Sequence, residues 1–204
     1  MAFVRRPRGE YAKTADRRAE ILDAAIKVFS ESGFHGGSLR EISERVGMSQ
    51  PGLLHHFANK EQLLEAVLTY RDDLANERMG PELPTGAALL DGLVALTAFN
   101  ATTPGLVALF AVLSGEATAT DHPGHEYFRQ RYAWVRALVE EAVAEGQATG
   151  DLRRDLDSTE VARTMIALLD GLQIQWLYED GGFDMTVPLT AYVKSLRTPQ
   201  GASQ

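Results

Sequence analysis

The chain of 204 residues, 45% hydrophobic and 24% charged, has the balance of one globular domain, or one domain with a small appendage, and enough length for a buried core. It has no cysteine, which excludes disulfides and thiol chemistry, and Met1-Ala2-Phe3-Val4-Arg5-Arg6 opens no apolar run, so no signal peptide and a cytoplasmic location are expected. Net charge is −8, yet residues 1–60 hold 10 Lys/Arg against 7 Asp/Glu and residues 61–204 hold 10 against 21; this excludes an all-over nucleic-acid coat and points to one local anionic partner at a basic end.

In chain order, residues 1–13 read as a basic flexible arm carrying Arg5, Arg6 and Arg8. Leu22, Ala25 and Phe29 form a helical stripe that ends near Gly33. Leu39, Ile42 and Val46 form a second that ends at Gly47. Ser38-Leu39-Arg40-Glu41 is a capping box: the serine oxygen accepts from the Glu41 N–H and the glutamate reaches back to the Ser38 N–H. Ser49 caps a short helix at 50–56, where Pro51 falls in the first turn and loses no intrahelical bond. A tight turn at Gly47-Met48-Ser49 joins the two short helices, which is the pattern of a helix-turn-helix.

From about Lys60 a long helix carries Leu63, Leu64, Val67, Leu68 and Leu74, until "GPELP" at 80–84 interrupts it. Residues 92–115 carry no charge and have the length of a membrane span. Asn100-Ala101-Thr102-Thr103-Pro104-Gly105 breaks that run, so two buried helices at about 85–101 and 104–118 are expected and no membrane. Phe128 to Ala142, Val161 to Trp176 and Val187 to Leu196 mark three more helices. The fold class is all-α with about nine helices: a three-helix DNA-binding unit over 14–60, a helical body over 61–198 and a disordered tail at 199–204.

The stretch "ILDAAIKVFSESGFHGGSLREISERVGMSQPGLLHHFANKEQLL", residues 21–64, resembles the tetracycline-repressor (TetR) family of bacterial transcription regulators, in unbroken register. The body resembles that family only in length and helical character. The resemblance implies an all-helical homodimer that binds a palindromic double-stranded DNA operator and releases it when a small-molecule effector occupies the body. Position by position, it implies a phosphate contact for Ser38, base contacts for Gln50, Pro51 and Gly52, sugar-phosphate contacts for His55 and His56, a phosphate-binding role for Lys60 and a packing role for Phe57. Arg40 and Ser49 are counted with the same DNA-contact set. Leu54 departs from the family, which usually has a tyrosine there donating to phosphate; the arm arginines are candidates to supply the missing affinity.

The residues support the same assignment physically. Gln50 can pair with adenine through both amide atoms, and Gly52 lets backbone approach closely. His55 and His56 are adjacent on a helix, about 100° apart, so they cannot grip one metal ion together. His122-Pro123-Gly124-His125-Glu126 has His-x-x-His but no zinc-protease motif; an Asp121 cap before a helix start explains it better. A helical metal-dependent hydrolase using those histidines is the competing function, and a constitutive DNA-binding protein with a purely structural body is another. No phosphate loop, dinucleotide fingerprint or Gly-x-Ser-x-Gly is present, so no cofactor and no enzymatic activity are expected.

In the body, Phe99, Asn100, Phe110, Trp134, Met165, Gln173 and Trp176 are the candidates for binding a mainly apolar effector; the bland reading places the aromatics in the core and satisfies the amides there. The helix at 158–178 is apolar on two faces, of which only one can pack inward. The other predicts a dimer contact shared with the last helix, for which Leu169, Tyr192 and Leu196 are the candidates.

Overall fold

The computed structural model describes residues 8–199. Its helices are α1 (Arg8–Gly36), α2 (Leu39–Val46), α3 (Gln50–Leu54), α4 (Lys60–Met79), α5 (Gly86–Asn100), α6 (Pro104–Glu116), α7 (His125–Thr149), α8 (Ser158–Tyr178) and α9 (Thr186–Leu196). Among the described residues the only extended pairing is an isolated bridge between Leu152 and Arg197. Helix α1 already begins at Arg8, inside the span expected as an arm, while Arg5, Arg6 and residues 200–204 lie outside the described residues.

Local chemistry accounts for most helix ends. Ser38 accepts from the Glu41 N–H at 3.1 Å, but the return half of the expected capping box does not form: the Glu41 carboxylate takes Arg45 at 3.0 Å instead. Asn59 accepts from the Gln62 N–H at 2.8 Å, and Asp157 caps α8 through the Thr159 and Glu160 N–H groups. Pro104 opens α6, where its missing N–H costs nothing. The break before it bends α5 and α6 apart by 109°, and among the described residues no single helix is long and apolar enough to cross a membrane.

Two cores result. The first joins Ile21, Ala25, Phe29, Ile42, Leu53, Phe57, Leu63, Leu64 and Val67 to Leu109, Phe110 and Leu113, so α6 packs along α1 and roots the DNA unit in the body. The second packs α5, α7, α8 and α9 around Leu90, Val139, Val143, Met165 and Leu189. Each of these fully buried side chains contributes about 1.5–3 kcal/mol.

Candidate nucleic-acid interface and body cavity

Gly47 ends α2 in the left-handed conformation (φ 71, ψ 37), and the Met48 N–H bonds back to the Ser43 carbonyl at 3.0 Å. Ser49 then starts α3 by accepting from the Gly52 N–H at 3.2 Å. Regular helix stops at Leu54, two residues short of the expected 56, although the His56 N–H still reaches the Leu53 carbonyl at 2.9 Å. Leu53 is fully buried and anchors α3, leaving Gln50, Pro51 and His55 exposed, Gly52 half-buried and Leu54 37% exposed. Arg40 is exposed beside Glu44 at 2.8 Å, a surface pair that holds the guanidinium only weakly. His55 is exposed, whereas His56 is half-buried and its carbonyl accepts from Arg18 at 2.9 Å. That same Arg18 guanidinium lies 4.1 Å over the Phe57 ring, closing the unit.

Behind this surface lies a junction that the sequence did not reveal. Gly33 kinks α1 (φ 68, ψ −176), and the next N–H, that of Phe34, donates to the Glu116 carboxylate at 2.7 Å. The Lys60 ammonium stands 4.4 Å over the Phe34 ring, half-buried, and desolvation there lowers its pKa from the usual lysine value. The fully buried His122 ring packs edge-on against Phe34 and His35, with Nε2 3.6 Å from Glu116 and no hydrogen-bond partner. Burial lowers the His122 pKa, so the ring is held neutral. Its Nδ1 accepts from the Gly124 N–H at 3.0 Å, which replaces the Asp121 cap expected before α7. His125 Nδ1 instead meets the Ala117 carbonyl at 2.8 Å, so the two histidines of the His-x-x-His run do not converge. Among the described residues no three His, Cys, Asp or Glu side chains are grouped to hold a metal.

The body encloses a cavity of about 90 Å³ between α4, α5, α7 and α8. Asn100, Phe110, Trp134 and Gln173 of the expected ligand set line it, and Phe99 lines a smaller adjoining hollow. Met165 and Trp176 do not: both are buried in the body core. Two arginines not foreseen complete the wall. Arg71 stacks 4.1 Å over the Phe110 ring and Arg131 lies 5.6 Å from it. Both donate to the same Asp72 oxygen, at 3.2 and 2.6 Å, and Tyr127 donates to the other at 2.7 Å. Burial raises the Tyr127 pKa to about 12, so its hydroxyl stays a donor. Opposite them, Asp170 accepts from the Tyr132 hydroxyl at 2.7 Å, and burial raises its pKa above the usual carboxylate value.

Of the residues expected between copies, Leu169 also lines the cavity and Leu196 is 3% exposed within the protomer core. Tyr192 is half-buried, its hydroxyl 3.4 Å from the Val161 carbonyl. The outer apolar surface is carried instead by Ile174 (45% exposed) and Tyr178 (87%) on α8 and Val187 (65%) on α9.

Comparison with known proteins agrees with this arrangement. Residues 21–67 match the family described as "Bacterial regulatory proteins, tetR family", and residues 87–197 match "BetI-type transcriptional repressor, C-terminal". The chain is similar to the HTH-type transcriptional repressor KstR2 of Mycolicibacterium smegmatis, 28% identical over 173 residues that cover 84% of this chain and 83% of the relative. It shares its fold with a transcriptional regulator from Saccharomonospora viridis solved with choline (TM-score 0.72, 24% identity, covering 88% of this chain and 96% of that one). The regulator FadR of Bacillus subtilis, solved with stearoyl-CoA, has the same fold (TM-score 0.71, 18% identity, 88% and 97%). These families and relatives are DNA-binding regulators and not enzymes. With the second match alone spanning more than half of its length, the chain belongs to the TetR family of bacterial transcription regulators.

Proposed function

We propose that this regulator is a repressor that holds a palindromic operator as a homodimer and releases it when a small molecule enters the body cavity. One observation carries the proposal: α4 serves both sites. Its first turns, through Leu63, Leu64, Val67 and Leu68, belong to the core of the DNA unit, and its later turns, through Arg71, Ala75, Asn76 and Met79, form the cavity wall. An occupant that moves this wall moves the base of the helix-turn-helix. Two recognition helices must reach half-sites about 34–36 Å apart, so a modest tilt spoils the fit.

In this reading Gln50 reads a base edge and Gly52 admits backbone, while the Ser38 hydroxyl keeps its hydrogen for a phosphate because its oxygen already accepts from Glu41. Arg40, Ser49 and His55 stand around them, and Lys60 supplies charge from the start of α4. Solved proteins of the same fold hold choline and stearoyl-CoA, which supports a body that admits small molecules. The cavity, about 90 Å³, is smaller than the ~150 Å³ known to hold benzene, so a larger occupant must spread its walls. It thereby binds one shape better than another, which is the only way a ligand can shift an equilibrium.

The test is a gel-shift titration on the captured operator with compounds that raise the protein's melting temperature. Coupling of about 1–3 kcal/mol lowers operator affinity 5- to 150-fold. Compounds that stabilise the protein yet leave operator affinity untouched contradict release and favour constitutive binding.

A further inference from the structure

The cavity is not a plain apolar hole. The Arg71 and Arg131 side chains are only 11% and 17% exposed, yet among the described residues both pair with one carboxylate, Asp72. Neither forms an ion pair with Asp170, whose oxygen is taken by Tyr132. Asp170 also lies in the field of both guanidiniums, yet among the described residues most of their N–H donors have no protein acceptor. Most of the remaining wall is hydrocarbon, with the amides of Asn76 and Asn100 among it. Thr97 and Gln173 turn back on their own helices: Thr97 donates to the Leu93 carbonyl at 2.9 Å and Gln173 to the Leu169 carbonyl at 3.1 Å.

We propose that the cavity selects a compact organic carboxylate, its carboxylate bound by Arg71 and Arg131 and its hydrocarbon part laid against Leu93, Leu96, Val135, Leu138 and Ile166. The proposal rests on the reading that this cavity is the effector site, and it names the effector's chemistry. A carboxylate matches the planar fork of a guanidinium and accepts from N–H donors that the protein leaves unfilled among the described residues. A cation finds the opposite: it meets two guanidiniums, and the Phe110 ring that would attract it is covered by Arg71. Asp170, held by Tyr132, lies in the field of both guanidiniums, which favours its charged form against the opposing effect of burial. The limited volume favours short acids, a ring requires the walls to spread, and Trp134 is both 48% exposed and part of the cavity wall. Because Arg71 rides on α4, an acid that draws the two guanidiniums away from Asp72 pulls on the helix that carries the DNA unit.

The experiment is calorimetric titration of the purified full-length protein with butyrate, octanoate, benzoate and phenylacetate, each beside its alcohol and its primary amine. At least one acid is expected to bind about 10- to 100-fold more tightly than its alcohol, the range of charge-assisted hydrogen bonds, and more tightly than its amine. Arg131→Gln is expected to remove that advantage while leaving alcohol binding within about threefold, and Arg131→Lys to restore part of it. Acids no better than their alcohols, amines that bind best, or no binding by any probe each overturn the proposal, and these comparisons need no variant to fold. The operator shift separates this proposal from the reading beneath it. Arginine-dependent acid binding that leaves DNA bound keeps the ligand class and defeats release; DNA release by alcohols or amines alone does the reverse.

Discussion

At Gly33 two demands meet in one residue. Its backbone (φ 68, ψ −176) lies in a region essentially restricted to glycine, and an added Cβ would stand 2.0 Å from Glu116 Oε1. Gly47 shares the positive φ, but nothing lies within 4 Å of its Cβ position. Gly33→Ala is therefore expected to cost more than the strain alone, which is about 1–3 kcal/mol, and Gly47→Ala only about 1 kcal/mol, by urea unfolding. Equal costs would mean that Glu116 swings aside freely. His122 adds a pH dependence. Its folded pKa lies below the ordinary histidine value, so the unfolded chain binds a proton that the folded protein refuses. The junction is at full strength above about pH 6.5 and weakens as pH falls below it. Between pH 7.5 and 5.5 the melting temperature of the wild type should drop further than that of His122→Asn; parallel curves would remove His122 from the account. Sequence held partial signals for these positions. Glu116 is the first charge after the uncharged run 92–115, and Arg71 continues the apolar stripe of Leu64, Val67 and Leu68. A charge on an apolar stripe says that something unusual is buried, but not which partner it meets across the fold.

Among elements, the helix-turn-helix was the most legible, because caps, a turn glycine and Pro51 are local signals. Gln50→Ala is expected to relax sequence preference by about 1–3 kcal/mol at one base pair. Lys60→Ala should weaken all sequences alike and flatten the salt slope by about one unit. Since the ammonium also lies on Phe34, Lys60→Ala should lower stability as well, whereas Gln50→Ala should not. An unchanged salt slope would leave Lys60 as a junction residue only. Helices α8 and α9 were harder to read. Both are apolar on more than one face, so periodicity finds the helix without saying which stripe is inward, and Leu169 and Leu196 proved to face the protomer's own interior. The body's large apolar side chains posed the same problem, with Phe110 and Trp134 on the cavity and Met165 and Trp176 in the core.

At the scale of the whole molecule, a basic end on an acidic body orients the protein toward DNA through one surface only. A palindrome demands two such surfaces, and the exposed apolar residues Ile174, Tyr178 and Val187 on α8 and α9 are the ones we propose for contact with a second copy. Replacing Ile174 and Tyr178 together by Asp should leave a folded monomer in sedimentation at micromolar concentration, while Leu169→Ala should leave a dimer. A double variant that stays dimeric would move the interface elsewhere. The most direct test of the central claim is selection of bound sequences from a random duplex pool by the purified protein, in parallel with Gln50→Ala. The account predicts an enriched palindrome with half-site centres one helical turn apart, or a multiple of it, and a preference that Gln50→Ala loosens in both halves alike. Enrichment of no palindrome, or of the same one with undiminished preference by Gln50→Ala, would contradict it.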